Sequence, residues 1–252
     1  MTTIDLNCDL GESFGAYKMG NDDEILPFVS SINVACGFHA GDPSVMRQTV
    51  EKALEHNVAI GAHPGFPDLI GFGRRNMNVS ASEVYDYFIS NRRIRRICKT
   101  AGGKMQHVKP HGALYNMAAT DSKIADAIAK AIYHMNPSLS LYGLANSEAF
   151  IQAAEKYNVT LVQEAFADRT YKQDGTLTSR TEENALIKNE DEAIKQVLQM
   201  VKEGYVNSVN GEEVAVQAQT ICLHGDGEKA VQFAGKIYRI FECNGISICA
   251  PK

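Results

Sequence analysis

Residues 104–115 read KMQHVKPHGALY, and the spacing within them decides the fold. Met105, His107, Lys109 and His111 recur at every second position, so an extended chain turns all four to one face and Gln106 and Val108 to the other. A helix would also set His107 and His111 on one face, four apart, but Pro110 lies between them and breaks the helical ladder. The stretch is therefore a strand ending in Lys-Pro-His-Gly, with two imidazoles and an ammonium on one side of its carboxyl end. A strand-end histidine is often only a packed side chain and a lone lysine a solvated one. The stretch gains chemical meaning only if other strands end alike.

They do. IDLNCD at 4–9 places Ile4, Leu6 and Cys8 opposite Asp5, Asn7 and Asp9, and Glu12 follows in a glycine-punctuated turn. SINVACG at 31–37 repeats that phase and runs into His39, and a third strand at 58–63 ends in His63 before Pro64 and Gly65. Further strands are predicted at 139–145 and at 159–169, where Glu164, Phe166 and Asp168 share a face and Arg169 follows. A last one, at 219–226, brings Thr220, Cys222, His224 and Asp226 into phase. Between them the patterns predict helices over 22–29, 43–56, 80–101, 120–134, 147–157, 190–203 and 228–241. Asp42 should cap the second, with Pro43 at its first position, and Ser80 to Glu83 has the capping-box spacing. The polar loop over 170–187 exceeds what a simple connection needs, which points to a lid or substrate loop.

With 252 residues, 44% hydrophobic and 22% charged, the chain reads as one domain over 1–252 with a sizeable core. Its net charge of −5 and lack of long basic runs argue against a nucleic-acid partner. No stretch reaches the ~20 apolar residues that span a bilayer and no signal-peptide pattern opens the chain, so no membrane partner and a cytoplasmic location are expected. The six cysteines stand far apart without a C-x-x-C pair and read as reduced, mostly buried small hydrophobes.

Strands alternating with helices imply βαβ units and a parallel sheet. A doubly wound open sheet would want a dinucleotide turn after the first strand, and LGESFG is not G-x-G-x-x-G. An α/β barrel accounts better for the chain, because every strong polar candidate falls at a strand carboxyl end, where barrels keep their sites: Asp9, Glu12, His39, His63, Lys109, His111, Asp168, Arg169, His224 and Asp226. Seven and eight strands are both compatible with the pattern.

LNCDLGESFG (6–15), NVACGFHAGDP (33–43), GAHPGFPDLIGFGRR (61–75), VKPHGALYN (108–116), EAFADRTYKQDGTLTSR (164–180) and CLHGD (222–226) resemble, in order and along almost the whole chain, the LamB/YcsF family. The resemblance implies a distorted (β/α)7 barrel, TIM-like and related to polysaccharide deacetylases. It also implies the role of the A subunit in a bacterial ATP-dependent 5-oxoprolinase. That subunit works with subunits B and C to open the 5-oxoproline lactam to L-glutamate, with ATP as co-substrate of the complex.

A lactam site needs a cation for the substrate carboxylate, donors for an oxyanion and a group that activates water. Asp9 or Glu12 suits water activation, His63 and His111 acid/base or oxyanion roles, and Lys109 charge stabilisation. Arg169 suits the substrate carboxylate, with His39, Asp168, His224 and Asp226 as further binding residues. Each has an ordinary structural alternative: Asp9 a loop cap, Glu12 a surface carboxylate, His39 a packed turn histidine, Asp226 a helix cap, and His107 polar filling of the core. Asp9 with His39 and His63 also has the composition of a zinc-hydrolase ligand set, leaving a divalent metal open. Two further functions stay open: a stand-alone metal-dependent deacetylase or other C–N hydrolase, and a non-catalytic substrate-binding subunit.

Overall fold

The computed structural model describes residues 2–90, 93–223 and 230–251. In chain order the elements are β1 (Thr2–Leu10), α1 (Asp22–Ile25) with a 3-10 turn at Leu26–Phe28, β2 (Ser31–Ala35), α2 (Pro43–Glu55), β3 (Ala59–His63), α3 (Ala81–Ser90), α4 (Arg93–Thr100) and β4 (Met105–Val108). The second half adds α5 (Gly112–Ala118), α6 (Ser122–Met135), β5 (Ser140–Leu144), α7 (Glu148–Tyr157), β6 (Leu161–Phe166), α8 (Glu190–Glu203), β7 (Tyr205–Asn207), β8 (Glu213–Ala215), β9 (Thr220–Leu223), α9 (Ala230–Cys243) and β10 (Ile246–Ile248).

Seven parallel strands close a ring in the order β1-β2-β3-β4-β5-β6-β9, with β9 pairing back to β1. This settles the strand count left open by the sequence. The eighth strand of the sheet, β10, pairs with the start of β1 outside the ring. Closure explains the alternation: Ile4, Leu6, Cys8 and Leu10 face the helices, whereas Asp5, Asn7 and Asp9 face the barrel interior, and Asp5 and Asn7 are fully buried there.

Helix starts follow their capping residues. The Asp42 carboxylate accepts from Ser44 N (2.8 Å) and Val45 N (3.1 Å), and Ser80 and Glu83 exchange the two bonds of a capping box. The helix predicted over 80–101 is present as α3 and α4, residues 91–92 between them lying outside the described ones. The sequence pattern does not show α5 or the β7–β8 hairpin, both too short to carry a clear period. All six cysteines are free thiols, four of them buried and Cys243 and Cys249 exposed, in line with the reading of reduced, mostly buried side chains. No helix among the described residues is long and apolar enough to cross a membrane.

Candidate active site

The barrel interior is filled from its floor upward by polar side chains on alternate strand positions. At the floor, Asp5 accepts from the hydroxyls of Ser30 (2.6 Å), Ser31 (2.8 Å), Thr220 (2.6 Å) and Tyr142 (3.0 Å). Burial raises its carboxyl above the ordinary value despite those bonds. Above it, Asn7 donates to Glu164 and Thr220, Asn33 donates to Asn7, and His107 donates from Nε2 to Asn33 Oδ1 at 2.8 Å while stacking on Tyr142. The opposing residue on β3 is Gly61, where any Cβ would meet His107 Nε2 at 2.1 Å. Burial, then the charge of Lys109, lowers His107 to about 3. It is a neutral core histidine, in line with its reading as polar filling.

Lys109 forms the next layer. Its Nζ reaches Asp9 Oδ1 (3.0 Å), Glu164 Oε1 (2.8 Å), Asn7 Oδ1 (3.2 Å) and Cys222 Sγ (3.1 Å), and the side chain is 2% exposed. Burial opposes its charge, yet the carboxylates of Asp9 and Glu164 hold it well above the usual lysine range. Burial likewise opposes the ionisation of Asp9, and His63 and Lys109 overcome it, holding that carboxyl well below its usual range. Burial drives the Cys222 thiol well up, so it meets Lys109 as a thiol.

Beside this charge cluster lie three imidazoles. His63 Nδ1 sits 2.8 Å from the Lys109 carbonyl, and His111 Nε2 sits 2.9 Å from the Phe72 carbonyl. The remaining nitrogens, His63 Nε2 and His111 Nδ1, face each other at 2.9 Å, with Asp9 Oδ2 3.3 Å from the former. His39 stacks on His111 (centroids 3.6 Å apart, 4° between planes), and its Nε2 is 3.4 Å from Glu12 Oε1. Burial lowers both His39 and His111 well below the usual histidine value. Glu12, His39, His63 and His111 are all buried, and each offers one donor atom to a group lying within 4.8 Å.

The loop between β3 and α3 roofs the imidazoles. Asp68 accepts from Gly71 N (2.9 Å) and Arg75 Nε (2.9 Å), and Gly73, at φ +62°, packs where a Cβ would lie 2.8 Å from His39 and His111 atoms. The Arg75 contact lowers Asp68 to about 2. The space that remains is a cavity of ≈ 40 Å³ bordered by Asp9, Glu12, His63, Lys109, His111 and Arg169, with Leu177 and Arg180 from the long loop.

Asp9, Glu12, His39, His63, Lys109 and His111 therefore converge. Arg169 borders the cavity, but its Nε and one terminal nitrogen donate to the carbonyls of Ala185 and Thr178, bracing the 170–187 loop, and burial with nearby Arg180 lowers it to about 10. Asp168 is not among the residues bordering the cavity. His224 and Asp226 lie outside the described residues. The group close enough to share a metal differs from the one the sequence suggested: His39 and His63 stand with Glu12 and His111, while Asp9 keeps its Oδ2 3.3 Å from His63 Nε2 and accepts at Oδ1 from Lys109 and Asn33. Asn7, Asn33 and Glu164 join the site without being marked out by the sequence. Their inward phase is legible, but that phase alone does not separate core filling from chemistry.

Known proteins match this chain along its whole length. A protein from Bacillus cereus (strain AH820), named as the A subunit of 5-oxoprolinase, is 90% identical, and one of the same name from Bacillus anthracis is 89% identical, each covered fully and covering all of this chain. The crystal structure of a lactam utilization protein from Thermus thermophilus is 42% identical and superposes with a TM-score of 0.92, over 99% of this chain and 100% of that one. A putative cellobiose-phosphate cleavage protein from Enterococcus faecalis V583 shares the fold alone, at 15% identity and a TM-score of 0.59 over 98% of this chain and 97% of that one. The model of the LamB/YcsF family matches residues 4–252, and the chain belongs to that family.

Proposed function

We propose that this chain is the A subunit of an ATP-dependent 5-oxoprolinase, which opens the ring of 5-oxoproline to L-glutamate in the cytoplasm together with partner subunits B and C. Relatives of about 90% identity that carry the 5-oxoprolinase name support the substrate, and the lactam utilization protein from Thermus supports the compound class. The observation that carries the assignment is a buried ammonium beside a cluster of imidazoles at one small cavity. Water must add across a stabilised cyclic amide, placing OH on the carbonyl carbon and a proton on the ring nitrogen. ATP hydrolysis in the complex drives that reluctant opening.

In this reading Lys109 stabilises the negative charge that develops on the lactam oxygen. Asp9 takes the water's proton: held well down by His63 and Lys109, it becomes a better base as Lys109 turns toward the oxyanion. Glu12, His39, His63 and His111 hold the attacking water, and Arg169 meets the substrate carboxylate. A cavity of ≈ 40 Å³ is far below the ~300 Å³ at which ligand pockets begin, so admitting a lactam takes movement of the wall formed by Leu177 and Arg180.

The test is glutamate release from 5-oxoproline, with and without ATP, by the chain alone and after co-purification with the partner subunits. ATP-dependent glutamate from the assembly alone supports the reading. Release of acetate from acetylated sugars by the isolated chain, without ATP, would replace it with a stand-alone hydrolase.

A further inference from the structure

A backbone carbonyl can only accept a hydrogen bond, so each one fixes the imidazole that faces it. His63 must carry its proton on Nδ1 to meet the Lys109 carbonyl, and His111 must carry its own on Nε2 to meet the Phe72 carbonyl. Where each ring carries only that one proton, the other two nitrogens present lone pairs to each other across 2.9 Å, and a second proton on either ring would make the same contact a hydrogen bond. Two lone pairs at that distance repel unless something positive lies between or beside them. Imidazoles tied to carbonyls in this way are also the arrangement by which outer contacts orient metal-bound histidines.

We infer that His63 Nε2, His111 Nδ1 and Glu12 Oε1 are the three protein ligands of a divalent cation of the zinc class. Ligands ~2.0–2.2 Å from a tetrahedral centre stand ~3.3–3.6 Å apart. The observed separations bracket that range, at 2.9 Å between the imidazole nitrogens and 3.8 Å from His111 Nδ1 to Glu12 Oε1. Two neutral nitrogens and one carboxylate oxygen suit zinc or cobalt, and three protein ligands leave a further position open.

His39 is not a ligand in this assignment. Its ring lies parallel to that of His111 at 3.6 Å, so the in-plane lone pairs of the two rings run side by side and do not meet at one point. Asp9 is not a ligand in it either: its Oδ2 stands 3.3 Å from His63 Nε2, but Asp9 is not part of the group whose donor atoms lie mutually within 4.8 Å, and its Oδ1 is engaged by Lys109 and Asn33. The chemistry that a cation supplies at such a position is Lewis acidity toward water or a carbonyl oxygen. The inference deepens the reading of this cluster as the active site, yet cation binding by the isolated chain needs neither lactam nor ATP, so either claim can fail alone.

The test is titration of chelator-stripped protein with Zn2+ by calorimetry and with Co2+ by visible absorption. One saturable equivalent, with cobalt d–d bands, is expected. Glu12→Gln, His63→Ala and His111→Ala should each lose that saturable site. Asp9→Asn and His39→Leu should keep a stoichiometry of one, with affinity reduced by no more than about 100-fold. Imidazole 15N spectra of the wild type give the same answer should a variant fail to fold: Zn2+ should move His63 Nε2 and His111 Nδ1 and leave His39 in place. Absence of binding in the wild type would overturn the inference and leave a shared proton between the rings. Loss of binding in Asp9→Asn and His39→Leu, with retention in Glu12→Gln and His111→Ala, would overturn the ligand assignment.

Discussion

On one side of the barrel mouth Lys109 donates to Asp9, Asn7 and Cys222 and pairs with Glu164, so the buried charge is met from several strands. On the other side His63 Nε2 and His111 Nδ1 face each other at 2.9 Å, and neither ring nitrogen of His39 makes a hydrogen bond among the described residues. Both clusters are buried at comparable depth. In the first the ammonium is met on every side and Glu164 Oε2 alone of the buried carboxylate oxygens around it lacks a hydrogen bond among the described residues, whereas the second crowds imidazole nitrogens together and calls for a proton, a water or a cation between them. A polar interior can therefore serve as framework and as binding chemistry within a few ångströms, and the degree of internal satisfaction tells which is which.

The largest effect should come from breaking the satisfied side. Lys109→Met leaves Asp9 and Glu164 as neighbouring buried carboxylates without a cation, which should cost about 3–5 kcal/mol in urea unfolding and abolish turnover. A loss under about 1 kcal/mol would show that the ion cluster is not the framework described here.

A smaller, pH-dependent effect should come from the roof of the imidazole side. Asp68 titrates at about 2 in the folded chain against an ordinary value of 3.8, so its ionisation contributes stability that is present above pH 3.8 and lost as pH falls through about 2. The melting temperature of Asp68→Asn should accordingly lie below that of the wild type at neutral pH, the gap closing on acidification below pH 3.8. A gap that persists unchanged to the acid limit would mean that Asp68 holds the loop by something other than its charge.

The smallest effect should come from the unsatisfied side itself. His39→Leu replaces a buried imidazole, which makes no hydrogen bond among the described residues, with an apolar group of similar volume, so stability by the same urea assay should change by no more than about 1 kcal/mol. A loss as large as that of Lys109→Met would erase the distinction between the two sides.

Much of this is legible without coordinates. Strand phase can be read because side chains alternate with a period of two. The carboxyl-end position of Asp9, His39, His63, Lys109 and His111 can be read because βα alternation fixes which end of each strand meets a loop. Helix starts at Asp42 and Ser80 can be read because capping is a local bond between residues two or three apart. The role of Arg169 is harder, since its carbonyl partners at Thr178 and Ala185 belong to a loop without periodicity.

The sequence by itself determined a parallel βα chain, an apolar outer strand face and a short roster of polar strand ends. Only the tertiary structure decided that seven strands close the ring, that Lys109 belongs with Asp9 and Glu164, and that His63 belongs with His111 and Glu12. The physical reason is the range over which each is set. Alternation and capping act over a few residues, whereas the bond from Lys109 to Asp9 joins positions 100 apart, and closure of the barrel alone brings those strands face to face.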